Sequence, residues 1–229
     1  MDFKGKTAAI ILAGGSSTRI GGKITKQRLL FGGISVLKMS VLAFECCIDI
    51  DEIIVVVKAD ELDYFKAELA GIKKIKAITV GGETRVKSAI AGFSKVSADC
   101  DYVAVHDAAR PLITPPDISK VIGCAKEKGA AFAAAPMYDT VKQLDNTGKV
   151  AATVNRSTLV RATTPQIFKC SLYKLALEAA YNSAEATDDC MLLENIGIPA
   201  YAVLLEKENP KITTVADVEY FKYLLGEVN

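Results

Sequence analysis

Short apolar runs rich in β-branched residues alternate with stretches of helical periodicity along most of the chain. The runs 7–12 (TAAIIL), 52–58 (EIIVVVK), 76–80 (KAITV), 102–105 (YVAV), 130–135 (AAFAAA) and 200–205 (AYAVLL) read as strands. Most lack polar alternation, the pattern that burial on both faces produces. Between them, Leu62, Phe65 and Leu69 fall on one helical face, and so do Leu172, Leu175, Ala176 and Ala179. Strand and helix in repeated order predict an α/β fold, Rossmann-like, with a mostly parallel sheet and helices on both faces. Residues 139–154 break the rhythm: two extended segments flank LDNTGK, a hairpin signal with Asn146 and Gly148 supplying the turn. An inserted hairpin is either peripheral decoration or an arm that reaches something, and the pattern alone leaves both open. No repeat or linker divides the chain, so a single domain spanning 1–229 is expected.

Composition narrows the function classes. Half of the 229 residues are hydrophobic, 24% are charged, and the formal net charge is +1. That balance gives no reason to expect non-specific binding to nucleic acid or to a membrane surface. No apolar run approaches the ~18 residues of a membrane span, and the N-terminal run is too short for a secretory signal. The cysteines, Cys46, Cys47, Cys100, Cys124, Cys170 and Cys190, form no C-x-x-C pair. Buried, reduced thiols in a cytoplasmic protein are the expectation.

The candidate chemistry starts at LAGGSSTRIGGKITKQ (12–27), directly behind the first strand. A Walker A loop would need a glycine at Ser17 and a hydroxyl at Ile24, and a dinucleotide fingerprint would need another glycine spacing and an acidic residue in place of Lys58. What remains is more direct. Gly14 and Gly15 let the backbone approach a ligand, and the following N–H groups form a concave surface for anionic oxygens. Arg19 and Lys26 add cations that suit charge building at a phosphorus under attack. A tight turn alone explains the glycines but leaves the basic residues unexplained. Lys23 acquires no role.

The pattern A-G-G-x-x-x-R-[I/M]-G…K-Q at 13–27 resembles the signature of nucleotidyltransferases acting on sugar or polyol phosphates. Four further motifs narrow the resemblance: GGETRVKSA (81–89), VHDAARP (105–111), RATTPQIF (161–168) with Arg156 ahead of it, and ATDDCMLLE (186–194) followed by PKITTVADV (210–218). Together they look like the 2-C-methyl-D-erythritol 4-phosphate cytidylyltransferase family, over nearly the whole chain. The resemblance implies a nucleotidyltransferase fold, CTP as co-substrate, Mg²⁺, polyol phosphate as acceptor and release of pyrophosphate. It implies Arg19, Lys26 and Lys211 as catalytic cations and Asp107 as the metal ligand. Ala13, Gly14, Gly15, Gly82, Glu83, Arg85, Ser88 and Ala108 would hold the nucleotide. Thr140, Arg156, Thr164, Thr187 and Arg110 would hold the acceptor, with a homodimer interlocked through arms at about 138–156.

Several residues carry a physical reading of their own. Asp107 lies beyond YVAV, at the carboxyl edge of a parallel strand, where open α/β sheets place ligands and where a carboxylate suits Mg²⁺. Thr84 or Ser88 could simply cap a helix, and Thr187 could cap one beginning near Asp188. The single histidine, His106, needs no catalytic role, because a phosphate monoester is already anionic near neutral pH. Ser17 replaces a common loop glycine of the family, Thr25 the usual proline before Lys-Gln, and Val215 and Ala216 the usual Pro-Glu. The nearest rival is the related ribitol-5-phosphate cytidylyltransferase. A non-catalytic nucleotide-binding domain is the rival from another class, but it would not need Arg19, Lys26 and Asp107 together.

Overall fold

A computed structural model describes residues 5–15, 25–181 and 186–226. In chain order the strands and helices are β1 (Lys6–Leu12), β2 (Leu30–Phe31), β3 (Ile34–Ser35), α1 (Val36–Glu45), β4 (Glu52–Val57), α2 (Leu62–Glu68), β5 (Ile75–Val80), α3 (Arg85–Phe93), β6 (Cys100–Asp107), α4 (Pro115–Lys128) and β7 (Ala130–Pro136). They continue with β8 (Val141–Leu144), β9 (Val150–Val154), β10 (Val160–Lys169), α5 (Cys170–Ala180), α6 (Asp189–Glu194), β11 (Tyr201–Leu204) and α7 (Val215–Leu224). Seven strands form one sheet in the order β11-β7-β10-β6-β1-β4-β5, parallel except for β10, which runs antiparallel to both neighbours. The expected architecture is therefore present, and all six expected strands lie in this sheet.

The absence of polar alternation has a simple cause. Ala9 and Ile11 of β1, with Ile53, Val55 and Val57 of β4, pack against α1, α2 and α4. Ala8, Ile10, Ile54 and Val56 face the other way, onto α3, α5 and α6. Successive residues of a strand point to opposite faces, so a strand covered on both sides has no polar register to show. A third small cluster, Phe31, Val36, Ile212 and Phe221, seats α7 against the β2–β3 ribbon. Four helices start where a side chain accepts free N–H groups: Ser35 for α1, Thr84 for α3, Thr114 for α4 and a Thr214–Asp217 capping box for α7. Val215 and Ala216 are thus the first two residues of a fully capped helix.

Four expectations need correction. The inward face of α5 is Tyr173, Ala176, Leu177 and Ala180, whereas Leu175 is 55% exposed and Ala179 also faces outward. Strand β6 runs on through His106, so that Asp107 is its last residue rather than lying beyond it. Strand β10, in the middle of the sheet, was not foreseen. Thr187 does not cap α6; the side chain of Asp188 does, accepting from the Met191 N–H.

The hairpin at 139–154 is present as β8 and β9, a separate two-stranded sheet. Its turn is held by Asp145, which accepts from the N–H groups of Thr147 (2.9 Å) and Lys149 (3.0 Å), and Gly148 takes φ of 85°. Tyr138, Leu144 and Val150 are 69%, 56% and 51% exposed, so the arm projects with apolar side chains uncovered.

Candidate active site

The carboxyl ends of β1, β4 and β6 converge beside the start of α3. Ladder-like bonds tie them together there: the Ala13 N–H donates to the Val56 carbonyl (2.7 Å) and the Ala108 N–H to the Leu12 carbonyl (3.0 Å). Between them lies a cavity of about 300 Å³. Gly14 and Gly15 form one wall, and a methyl group on Gly15 would meet no other described residue within 4 Å. Opposite, the turn before α3 is packed too tightly for side chains: a Cβ on Gly82 would lie 2.3 Å from that of Lys87, and one on Gly81 2.7 Å from Ser88 Oγ. Ser88 Oγ donates to the Gly82 carbonyl and accepts from its N–H, both at 3.2 Å. Thr84, not Ser88, caps the helix, accepting from the Lys87 N–H at 3.1 Å.

Asp107 sits at the back with its carboxylate among cations. Lys211 Nζ donates to Oδ2 at 2.7 Å, Arg110 Nε lies 3.9 Å from the same oxygen, and Arg85 Nη2 lies 3.7 Å from Oδ1. Burial by itself would raise the Asp107 pKa, but Lys211, Arg85 and Arg110 outweigh it and hold the group well below the usual carboxylate range. Arg85 in turn donates to Asp189 Oδ2 at 2.5 Å, a fully buried carboxylate that also accepts from Tyr173 Oη at 2.7 Å. For Arg85 burial works against the charge, yet Asp189 and Asp107 more than compensate and its pKa is raised. Gln166 completes this floor, its Oε1 accepting from the Asp189 N–H (2.8 Å) and its Nε2 donating to Asp188 (2.8 Å).

His106 is fully buried beneath the cavity. The Arg110 carbonyl, 3.2 Å from Nε2, can only accept, so Nε2 carries the ring proton and Nδ1 accepts from the Thr164 hydroxyl at 3.0 Å. Burial pulls the His106 pKa down to about 4, which keeps the ring neutral. Thr164 Oγ1 also accepts from the Asp107 N–H (3.1 Å), and the residue is 3% exposed. Its hydroxyl proton is thus engaged inside the protein.

Of the residues singled out in the sequence, Gly14, Gly15, Lys26, Gly82, Glu83, Arg85, Ser88, Asp107 and Lys211 line the cavity. Lys26 is buried, and its Nζ donates to the Ile212 carbonyl at 3.3 Å. Glu83 is an exposed rim residue bound to Lys87 at 3.0 Å. Ala13 and Ala108 lie just behind the wall, with the Ala108 carbonyl accepting from Ser40 Oγ (2.8 Å); Ala109 rather than Ala108 reaches the cavity. Arg110 donates to the Asn209 carbonyl at 2.8 Å. Thr140 and Arg156 are exposed on the arm, where Arg156 donates to the Tyr138 carbonyl at 2.6 Å, and Thr187 is exposed near α6. Arg19, Ser17 and Lys23 lie outside the described residues. Sequence reasoning passed over Lys58 and Gln27, which line the cavity, and the strut Asp189. Lys58 follows a buried parallel strand, and that position was its one available signal.

The 2-C-methyl-D-erythritol 4-phosphate cytidylyltransferase (IspD) family model matches residues 7–227. The chain belongs to this family. Among its relatives, the 2-C-methyl-D-erythritol 4-phosphate cytidylyltransferase of Clostridium perfringens is 37% identical over 93% of this chain and 96% of its own length. A bifunctional IspD/IspF enzyme of Anaeromyxobacter is 41% identical over 96% of this chain, which spans 57% of that longer protein. In structure, the 4-diphosphocytidyl-2C-methyl-D-erythritol synthase of Anaerococcus prevotii superposes with a TM-score of 0.88 at 28% identity, covering 97% of this chain and 96% of that one. Members of this cytidylyltransferase family are nucleotidyltransferases of isoprenoid biosynthesis, so the chain is an enzyme of that class. No helix among the described residues is long and apolar enough to cross a membrane.

Proposed function

We propose that this chain transfers CMP from CTP to 2-C-methyl-D-erythritol 4-phosphate, giving 4-diphosphocytidyl-2-C-methyl-D-erythritol and pyrophosphate. The observation that carries the reading, beyond family membership, is the charge of the cavity. Lys26, Lys58, Arg85 and Lys211 line it against Glu83 and Asp107, and Glu83 is already paired with Lys87. A glycine-walled pocket with surplus cations suits a polyphosphate.

In the reaction an oxygen of the acceptor phosphate attacks the α-phosphorus. The new P–O bond forms as the bond to the bridging oxygen of the β-phosphate breaks, and pyrophosphate departs with that electron pair. No proton has to be removed from the nucleophile, which agrees with a neutral His106 whose two nitrogens are both engaged. The difficulty is bringing two polyanions together, and Lys26, Lys211 and Arg19 are assigned to that task. Gly14, Gly15, Gly82 and Ser88 enclose the nucleoside. Thr164 and Arg110 act by holding Asp107 and the segment around Asn209 in place.

Asp107 fits Mg²⁺ in one respect: it is held ionised, and Mg²⁺ binds through one or two carboxylates with phosphate oxygens and waters completing the shell. The described residues contain no cluster of three metal-ligating side chains, so the donor set suits a metal that arrives with the triphosphate. Bound there, the ion would neutralise charge on the leaving pyrophosphate. Lys211, now 2.7 Å from Asp107, would then turn to phosphate.

The arm is assigned to a homodimer, with Thr140 and Arg156 reaching the acceptor phosphate bound by the partner subunit. Its exposed Tyr138, Leu144 and Val150 support that reading. A cytoplasmic location fits both substrates. The deciding assay is pyrophosphate release from CTP with methylerythritol phosphate and with ribitol 5-phosphate, wild type beside Lys26→Ala. Turnover of the first acceptor, lost in the variant, is expected. Preference for ribitol 5-phosphate would reassign the acceptor, and no release with either would end the proposal.

A further inference from the structure

The stretch from Lys58 to Tyr64, which leads from β4 into α2, meets Thr25 and Arg28 beyond the glycine loop. Glu61 is 3% exposed, and its Oε1 accepts a hydrogen bond from Thr25 Oγ1. Its Oε2 is buried and has no partner among the described residues. One turn further on, Tyr64 carries the Arg28 guanidinium 3.8 Å above its ring. Thr25 and Arg28 bracket Lys26, and the Arg28 N–H closes that turn onto the Thr25 carbonyl at 3.0 Å. The backbone of Lys26 is therefore gripped on both sides by one short segment. A buried carboxyl oxygen without a partner costs stability, so a residue other than Glu would fill this position better if stability alone chose it.

We propose that Glu61 is a positioning residue for the nucleotide: by holding Thr25 it fixes the backbone from which Lys26 reaches the triphosphate. This rests on the reading of Lys26 as a triphosphate ligand. Thr25 has φ of −71° and ψ of 153°. That φ is the one a proline ring imposes, and the ψ is one that proline readily adopts. A proline at 25 would hold the same backbone with no hydrogen bond at all, and that makes the idea testable by rescue.

The experiment measures CTP affinity by calorimetry, KM for each substrate and Tm, in wild type, Glu61→Ala, Glu61→Gln, Thr25→Pro and Thr25→Pro/Glu61→Ala. Glu61→Ala is expected to weaken CTP binding and raise the KM for CTP about tenfold, with the acceptor KM within about twofold. Glu61→Gln keeps an oxygen acceptor and stays near wild type, and Thr25→Pro restores CTP affinity to the alanine variant. A purely structural Glu61 would lower Tm and disturb both substrates alike, with no recovery from proline; that result overturns the proposal, and so does unchanged CTP affinity in Glu61→Ala. Should Glu61→Ala fail to fold, Thr25→Val removes the same bond at constant shape and carries the same expectation. If wild type binds CTP but releases no pyrophosphate, the activity reading fails while the CTP affinities still decide the role of Glu61.

Discussion

Around the cavity, charged side chains hold one another. Asp107 is gripped by Lys211, Arg85 and Arg110, and Arg85 is anchored in turn by buried Asp189. Along the arm the picture is reversed. Among the described residues, Arg156 has only the Tyr138 carbonyl as a hydrogen-bond partner, and Tyr138, Leu144 and Val150 expose apolar surface. In the first region Asp107, Lys211, Arg85 and Asp189 are placed by one another before any ligand arrives. The other has order along its own hairpin and, among the described residues, no complement. Substitutions in the first should therefore appear in the chemistry, and substitutions in the second in assembly and acceptor binding.

The largest expected effect tests the first half of that contrast. Lys211→Ala should lower kcat/KM for pyrophosphate release by about a thousandfold, because it removes a cation from the transition state and leaves Asp107 without its nearest counter-ion. A loss below tenfold would mean that the cavity's charge web is structural. Next, Arg156→Ala should raise the acceptor KM roughly tenfold while CTP affinity stays as in wild type. Equal loss of both substrates would erase the distinction between the regions. The double substitution Leu144→Glu/Val150→Glu should halve the mass seen by light scattering and leave Tm within about two degrees. A monomeric wild type would break the arm's half of the comparison outright.

The last effect is on stability and is read through pH. The His106 pKa, about 4 in the fold, lies below its ordinary value of 6.5, so the unfolded chain takes up the proton first. The contribution is complete above pH 6.5 and fades as the pH falls towards 4, by up to about 3 kcal/mol. Asp145 in the arm turn has its pKa lowered, chiefly by the Thr147 hydroxyl, so its share is lost only in more acid solution. Urea titrations at pH 7 and pH 5 should show the sheet losing stability, while amide protons of the arm turn keep their protection. His106→Gln should flatten that dependence.

Much of the sheet was legible in the sequence because buried parallel strands are uniformly apolar, and that signal survives without any context. Strand β10 was hidden for two physical reasons. Val160, Arg161 and Ala162 at its start are exposed, and Pro165 interrupts its donors, where the register with β7 shifts between Ala162 and Gln166. The inward face of α5 was misread because Tyr173 counts as partly polar until Asp189 is known to take its hydroxyl. At the site, the glycines, Lys26, Asp107 and Lys211 were legible as residue types in ordered motifs. The supports were not: Glu61, Asp189 and the engaged hydroxyl of Thr164 depend on contacts between segments far apart in the chain, which no spacing encodes.

The place of β10 has a consequence for how the chain assembles. Strands β5, β4, β1 and β6 adjoin one another and can pair as soon as residue 107 has been made, but β6 and β7 are separated by an open slot that only residues 160–169 fill. Until then β6 keeps a bare edge and β7 has no sheet neighbour, because β11 is made later still, and the antiparallel β10 closes the gap between them. Long-range closure of this kind is slow relative to helix formation. The nascent chain therefore passes through a stage with its nucleotide half formed and its seam still open, the interval in which edge-to-edge aggregation is easiest.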